Sequence, residues 1–152
     1  MAMHYRKAVK EDIEALCRIR KQQLIDEGIE PNADIDEPLH RYFSEKFSEG
    51  SLVEWLLEDE GEIVATAAIV FMMFPPSYTN RTGMKGYITN MYTHPHYRKR
   101  GIATAMLKKL EEEAKSRGVC KLWLGASKVG RPVYQSFGFV DTGVWLDYEV
   151  AE

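Results

Sequence analysis

The stretch from Gly86 to Gly125 changes its hydrophobic period twice, and that change constrains the fold more than any other feature of the chain. Gly86 to Thr93 reads as a strand. Ile102 to Lys115 then repeats apolar residues at helical spacing: Ile102, Met106, Leu110 and Ala114 form one stripe, and Ala103 and Leu107 widen it. Gly118 is a fitting stop, after which Val119 to Gly125 returns to an apolar β-run around Leu122, Trp123 and Leu124. Such a strand–helix–strand unit brings its second strand back parallel to the first, by a right-handed crossover.

The flanks supply the remaining elements. Tyr5 to Val9 predicts a short first strand, and Glu11 and Asp12 then place acids in the first turn of a helix, where the macrodipole favours them. Ile13, Leu16, Cys17 and Leu24 give that helix a rough apolar face, and Gly28 ends it. Asp36-Glu37-Pro38 is a second helix start, followed by Leu39, Tyr42, Phe43 and Phe47 at helical spacing and closed by Gly50. Leu52 to Glu58 and Ile63 to Met73 are β-rich, with Asp59-Glu60-Gly61 as the hairpin turn between them. Pro75-Pro76-Ser77 breaks the pattern. A short helix is expected around Arg131 to Phe137, and Phe139 to Val150 alternates loosely, as a last strand or strand pair. The order predicts an α/β fold, more fully an α+β mixed sheet: mostly antiparallel, with one parallel crossover and helices on both faces. With no repeat and no linker, residues 1–152 are expected to form one domain.

Charge and cysteine usage narrow the class. Twenty basic and 23 acidic residues leave a net charge of −3, which argues against a phosphate-backbone binder and so against nucleic acid as a partner. Cys17 and Cys120 both sit in apolar patterns without metal-ligand spacing, so both are expected to be reduced core residues. The start of the chain lacks the apolar core of a signal peptide, and the longest apolar run, Ile63 to Pro76, is too short and too rich in β-formers for a membrane helix. These readings point to the cytoplasm and to no membrane partner. Trp55, Trp123 and Trp145 are all expected in strands, packed into the core. His94 and His96 have no Cys, Asp or Glu close by to complete a metal site, so no metal is expected.

The chemistry concentrates in the turn that joins the strand to the strongest helix. Arg98, Lys99 and Arg100 stand just before a first turn that carries Gly101 and the small Ala103. The first backbone N–H groups of a helix lack intrahelical partners, and the helix dipole adds positive potential there. Small residues let an anionic group such as a diphosphate approach the backbone, and cations at the rim add attraction. The alternative is a solvated loop in which Gly101 only relieves a tight turn. The spacing is neither the dinucleotide fingerprint nor a P-loop.

Arg98-Lys99-Arg100-Gly101-Ile102-Ala103 resembles the R/Q-x-x-G-x-G/A signature of the GNAT superfamily of N-acetyltransferases, and the lead-in Tyr92-Thr93-His94-Pro95-His96-Tyr97 resembles the segment before it. Tyr134-Gln135-Ser136-Phe137-Gly138-Phe139 is similar to the Y-x-x-x-G-F ending of the family's last conserved segment. The opening, Tyr5 to Ala8 with Glu11-Asp12-Ile13, looks like the family's usual start, so the resemblance covers nearly the whole chain.

The resemblance implies acetyl-CoA as co-substrate and a small-molecule or peptide amine as acceptor, with a homodimer as a possible assembly. Carried over, Arg98, Lys99, Arg100, Gly101, Ile102, Ala103 and Thr104 would hold the diphosphate. Met91, Tyr92 and Thr93 would line the pantetheine arm where the two parallel strands part, with an amide near Met91 facing the thioester carbonyl. Tyr134 would donate a proton to the departing thiolate; its other reading is a half-buried helix aromatic near Phe137. Two positions depart from the family pattern. Thr89 stands where many members carry a glutamate base, and Ser127 where many carry an asparagine that bonds the cofactor arm. A second hypothesis follows from Thr89: a CoA-binding sensor or regulatory module of the same fold with little turnover. The crowded acids Asp26, Glu27, Glu30, Asp34, Asp36 and Glu37 suit either a cationic acceptor or a solvated face. Met72 to Pro76, with Tyr78, is a candidate wall for the acceptor.

Overall fold

A computed structural model describes residues 3–152. In chain order the elements are β1 (His4–Lys7), α1 (Ile13–Asp26), α2 (Asp36–Glu49), β2 (Leu52–Asp59), β3 (Glu62–Met73), β4 (Met84–Thr93), α3 (Ile102–Ser116), β5 (Leu122–Leu124) and α4 (Arg131–Phe137). The strands form one sheet in the order β1-β2-β3-β4-β5. The first four pair antiparallel, while β4 and β5 run parallel across the α3 crossover.

Local chemistry accounts for these elements. Glu60 and Gly61, both with positive φ, make the tight turn between β2 and β3, so Asp59 pairs directly with Glu62. β3 is buried on both faces. Ala65, Ala67, Ile69 and Phe71 pack with Met106, Leu107 and Leu110 of α3, while Ala68 and Val70 pack with Leu16 and Cys17 of α1 and Phe43 of α2. A central strand covered on both sides reads as the continuous apolar run seen in the sequence. Near the start of the chain, Arg6 donates two bonds of 2.8 Å to Asp12 and others to Glu58, tying β1 to the entry of α1 and to β2. Asp12 also accepts the Val9 amide at 2.7 Å, and the Arg6 guanidinium holds its carboxyl below the usual range.

Four expectations are corrected. The first strand is His4–Lys7, because the Val9 amide is taken by Asp12 instead of a ladder. The strand after α3 shrinks from Val119–Gly125 to Leu122–Leu124 and is only half-buried, since it lies at the edge of the sheet. Cys120, just before it, is exposed, whereas Cys17 is buried as expected. Residues 139–152 contain no helix or strand, and Trp145 stands 63% exposed in that segment instead of packing in a core.

Candidate active site

The site is built around a break in β4. Tyr92 pairs with Thr66 and Thr89 pairs with Ala68, so Asn90 and Met91 stand opposite the single residue Ala67. This is a β-bulge, and Asn90 takes a left-handed conformation there, with φ of 54°. Asn90 is buried and held at both ends: its side-chain amide donates to Glu54 Oε1 at 3.2 Å, and its carbonyl accepts from the Thr66 hydroxyl at 2.8 Å. Pairing of β4 with β5 ends at Ile88 and Leu124, while β4 runs on to Thr93. The parallel strands therefore part at the bulge. Met91 turns toward the α3 face, and Tyr92 and Thr93 are half-buried beyond it.

Past β4 the chain makes a short turn and enters α3. Arg98 Nε donates to the Thr93 carbonyl at 2.9 Å, and Arg100 donates to the His96 carbonyl at 2.9 Å while its guanidinium lies 5.0 Å from the Tyr97 ring. The Tyr97 hydroxyl donates to Asp59, fastening this loop to the end of β2. His94 and His96 stack, and His94 Nδ1 accepts the His96 amide at 3.2 Å, so this pair shapes the turn. Lys99 and Gly101 both adopt positive φ, of 62° and 77°.

Gly101 is the N-cap of α3 and provides no side-chain cap; the first ladder bond runs from the Ala105 amide to the Gly101 carbonyl. The amides of Ile102, Ala103 and Thr104 precede that bond, at the positive end of the helix dipole. Gly101 and Thr104 are exposed and Ala103 half-buried, and a Cβ placed on Gly101 would meet nothing within 4 Å. Ile102 directs its side chain into the core. A diphosphate fits this chemistry: bare amides, open space and three cationic side chains at the rim.

Two further elements reach the same region. At the end of α1, Asp26 lies 3.7 Å from Arg98, and the charge of Glu27, after burial, helps push the Tyr134 hydroxyl above its usual range. Tyr134 on α4 is half-buried, its ring edge-on to Phe139 at 6.1 Å. A Cβ at Gly130 would stand 2.9 Å from that ring, so a larger residue there would push the ring aside. Ser127 Oγ accepts the Gly130 amide at 3.0 Å, which uses its oxygen to start α4 and leaves its proton to donate. The acids of the α1–α2 link are exposed; Asp36 pairs with Lys21 at 2.6 Å and Glu37 with Arg41. Met73 and Tyr78 face solvent, at 72% and 106% exposure, while Met72 packs against the α1–α2 side of the sheet.

Glu54 is the residue that sequence reasoning passed over. It stands in one cross-strand row with Ala68 and Thr89, and small Ala68 between them leaves room for its carboxyl to reach Asn90. It is 2% exposed, and burial pushes its carboxyl up to about 8. Arg20 of α1 and Tyr42 of α2 face it from the helices above. The signal was present: an acid at an inward position of Leu52-Val53-Glu54-Trp55-Leu56, flanked by two leucines that are themselves buried.

A mixed sheet whose parallel pair parts beside a bare helix N-terminus is an acetyltransferase architecture of the CoA-dependent kind. Residues 13–139 match the acetyltransferase (GNAT) family, and the chain belongs to that family. A predicted acetyltransferase from Clostridium acetobutylicum, solved with acetyl-CoA, is 59% identical, with a TM-score of 0.96 over 97% of this chain and 96% of its own. A GCN5-related N-acetyltransferase from Ralstonia eutropha is 27% identical, with a TM-score of 0.92 over 99% of this chain and 100% of its own. The glucosamine 6-phosphate N-acetyltransferase of Trypanosoma brucei brucei is 32% identical over 79 residues, so the matched segment spans about half the length of that curated relative.

Proposed function

We propose that the chain transfers the acetyl group of acetyl-CoA to a primary amine of a small molecule or peptide, by direct attack in a ternary complex. The observation that carries this reading is the uncapped start of α3 beside the parting of β4 and β5. The amides of 101–104 receive the diphosphate, with Arg98, Lys99 and Arg100 around it. The acyl-pantetheine arm then lies along Met91, Tyr92 and Thr93 in the gap, with the Ser127 hydroxyl as a donor at its edge. The Met91 amide meets the oxygen on which negative charge develops as the amine attacks. Tyr134, kept protonated by its environment, gives its proton to the departing thiolate. Asp26 and Glu27 face this opening and favour an acceptor that arrives as a cation.

Glu54 takes a positioning role in this scheme. Its bond to Asn90 and the Thr66 bond to the same residue fix the bulge, and the bulge aims the Met91 amide. A threonine at position 89 leaves no carboxylate there to accept the proton of the attacking nitrogen, so an acceptor that arrives as a cation first loses a proton to water, and the proton left on nitrogen after attack goes to water as well. The test is thiol release measured over a panel of amines, beside calorimetric titration of acetyl-CoA. Binding with release on at least one amine supports the transferase. Binding with release on none favours the sensor that Thr89 suggests, and failure to bind overturns both.

A further inference from the structure

Arg6 and Arg20 are the arginines withdrawn from full exposure. Arg6 is gripped by Asp12 and Glu58. Arg20 has no acid within 4 Å among the described residues, and its guanidinium donates to Gln23 Oε1 at 3.2 Å. Its neighbours on α1 differ: Lys21 is paired with Asp36, and Arg18 is exposed. A guanidinium drawn partly out of water costs free energy unless an anion compensates it. Glu54 faces Arg20 but does not compensate it, since burial pushes its carboxyl up to about 8 and keeps it neutral. Gln23 is 8% exposed, and the bond to Arg20 uses the oxygen of its amide and not its N–H donors.

This uncompensated cation stands beside the site already described. Glu54, Ala68 and Thr89 form one cross-strand row, and Tyr87 precedes Thr89 by two residues, on the same face of β4. Arg20 and Tyr42 reach Glu54 from above that face, and Tyr42 is also a neighbour of Tyr87. Both tyrosines are half-buried, and burial holds the Tyr42 hydroxyl above its usual range, so it remains a neutral donor. Glu54 in turn bonds Asn90 of the bulge. At the C-cap of α1, Glu27 follows Arg20 by seven residues, close to two full turns, so both project from one face of the helix. They stand roughly 10 Å apart along its axis, and the charge of Glu27 reaches Tyr134.

We propose that Arg20, with the Tyr42 and Tyr87 hydroxyls beside it, holds an anionic oxygen group of the acceptor, a carboxylate or a phosphate, at the end remote from the reacting amine. This rests on the transferase reading, which puts that amine near Tyr134 and the Met91 amide. The acceptor is then a zwitterion: its ammonium arrives against Asp26 and Glu27, and its anion neutralises Arg20. The two-turn spacing sets these charges several bonds apart. A guanidinium presents paired N–H donors that match either anion, so the two classes share one subsite.

CoA in place of acetyl-CoA gives a dead-end complex in which acceptors bind without reacting. Calorimetric titration of the wild-type CoA complex is expected to show 6-aminohexanoate or 6-aminohexyl phosphate binding about tenfold more tightly than hexylamine, which offers the same amine and no anion. The tighter of the two acids identifies the anion class. Arg20→Gln is expected to bind all three amines alike, and Arg20→Lys, which keeps the charge, to retain most of the preference. CoA affinity, unchanged in both variants, checks that each is folded. Hexylamine binding as tightly as the acids, no binding of either acid, or a preference that survives in Arg20→Gln would each overturn the proposal. Thiol release from acetyl-CoA with the same amines is read separately. An anion preference in binding with no release on any amine leaves the subsite standing and sinks the transferase reading instead.

Discussion

Glu54 concentrates the residue-scale consequences. Its carboxyl ordinarily ionises near 4.5 and in the folded chain near 8, so between those values the native state holds a proton that the unfolded chain has lost. Stability therefore falls as pH rises from about 4.5 to 8 and levels off above. Glu54→Gln keeps an oxygen acceptor for Asn90 and removes the titration. It is expected to melt close to the wild type at pH 5 and above it at pH 8, by roughly 3–4 kcal/mol; a constant gap across that range would refute the assignment. Glu54→Leu removes the acceptor instead. It is expected to lower kcat about tenfold with little change in the KM of acetyl-CoA, with Gln restoring the rate, since a misaimed amide weakens the transition state and not cofactor binding. Tyr134→Phe is expected to cost about tenfold in kcat, because a thiolate with a reference pKa of about 8.5 leaves tolerably without an acid.

Among the elements, α3 makes the sharpest test. A glutamate at Thr104 would sit in the first turn, where a negative charge steadies the helix, yet it would oppose a bound diphosphate. Thr104→Glu is expected to keep or slightly raise the melting temperature while raising the KM of acetyl-CoA about a hundredfold; a tighter KM would dismiss the anion site. This element was legible because its stripe from Ile102 to Ala114 has one period and one buried face. β2 and β3 were legible from their β-rich runs and the tight turn between them. The bulge was not. Nothing in Thr89-Asn90-Met91 announces a left-handed Asn90, because the partners that hold it, Glu54 and Thr66, come from two other strands. Cys120 was misplaced because an apolar neighbourhood in sequence does not distinguish an edge strand from a central one.

At the scale of the whole molecule, the tail beyond α4 explains the largest departure from expectation. Its alternation is a genuine strand signal, but a strand needs a neighbour, and the protomer leaves β5 without one on that side. The aromatic cluster beside β5 has one more use. Trp123 is surrounded by Phe74, Tyr87 and Trp145 at 5.6, 5.1 and 6.5 Å, and Trp145 still faces water. Trp145 is thus an indole that water still reaches beside β5, and its share of the emission, bluer when dry and redder when wet, shifts with anything that covers that edge.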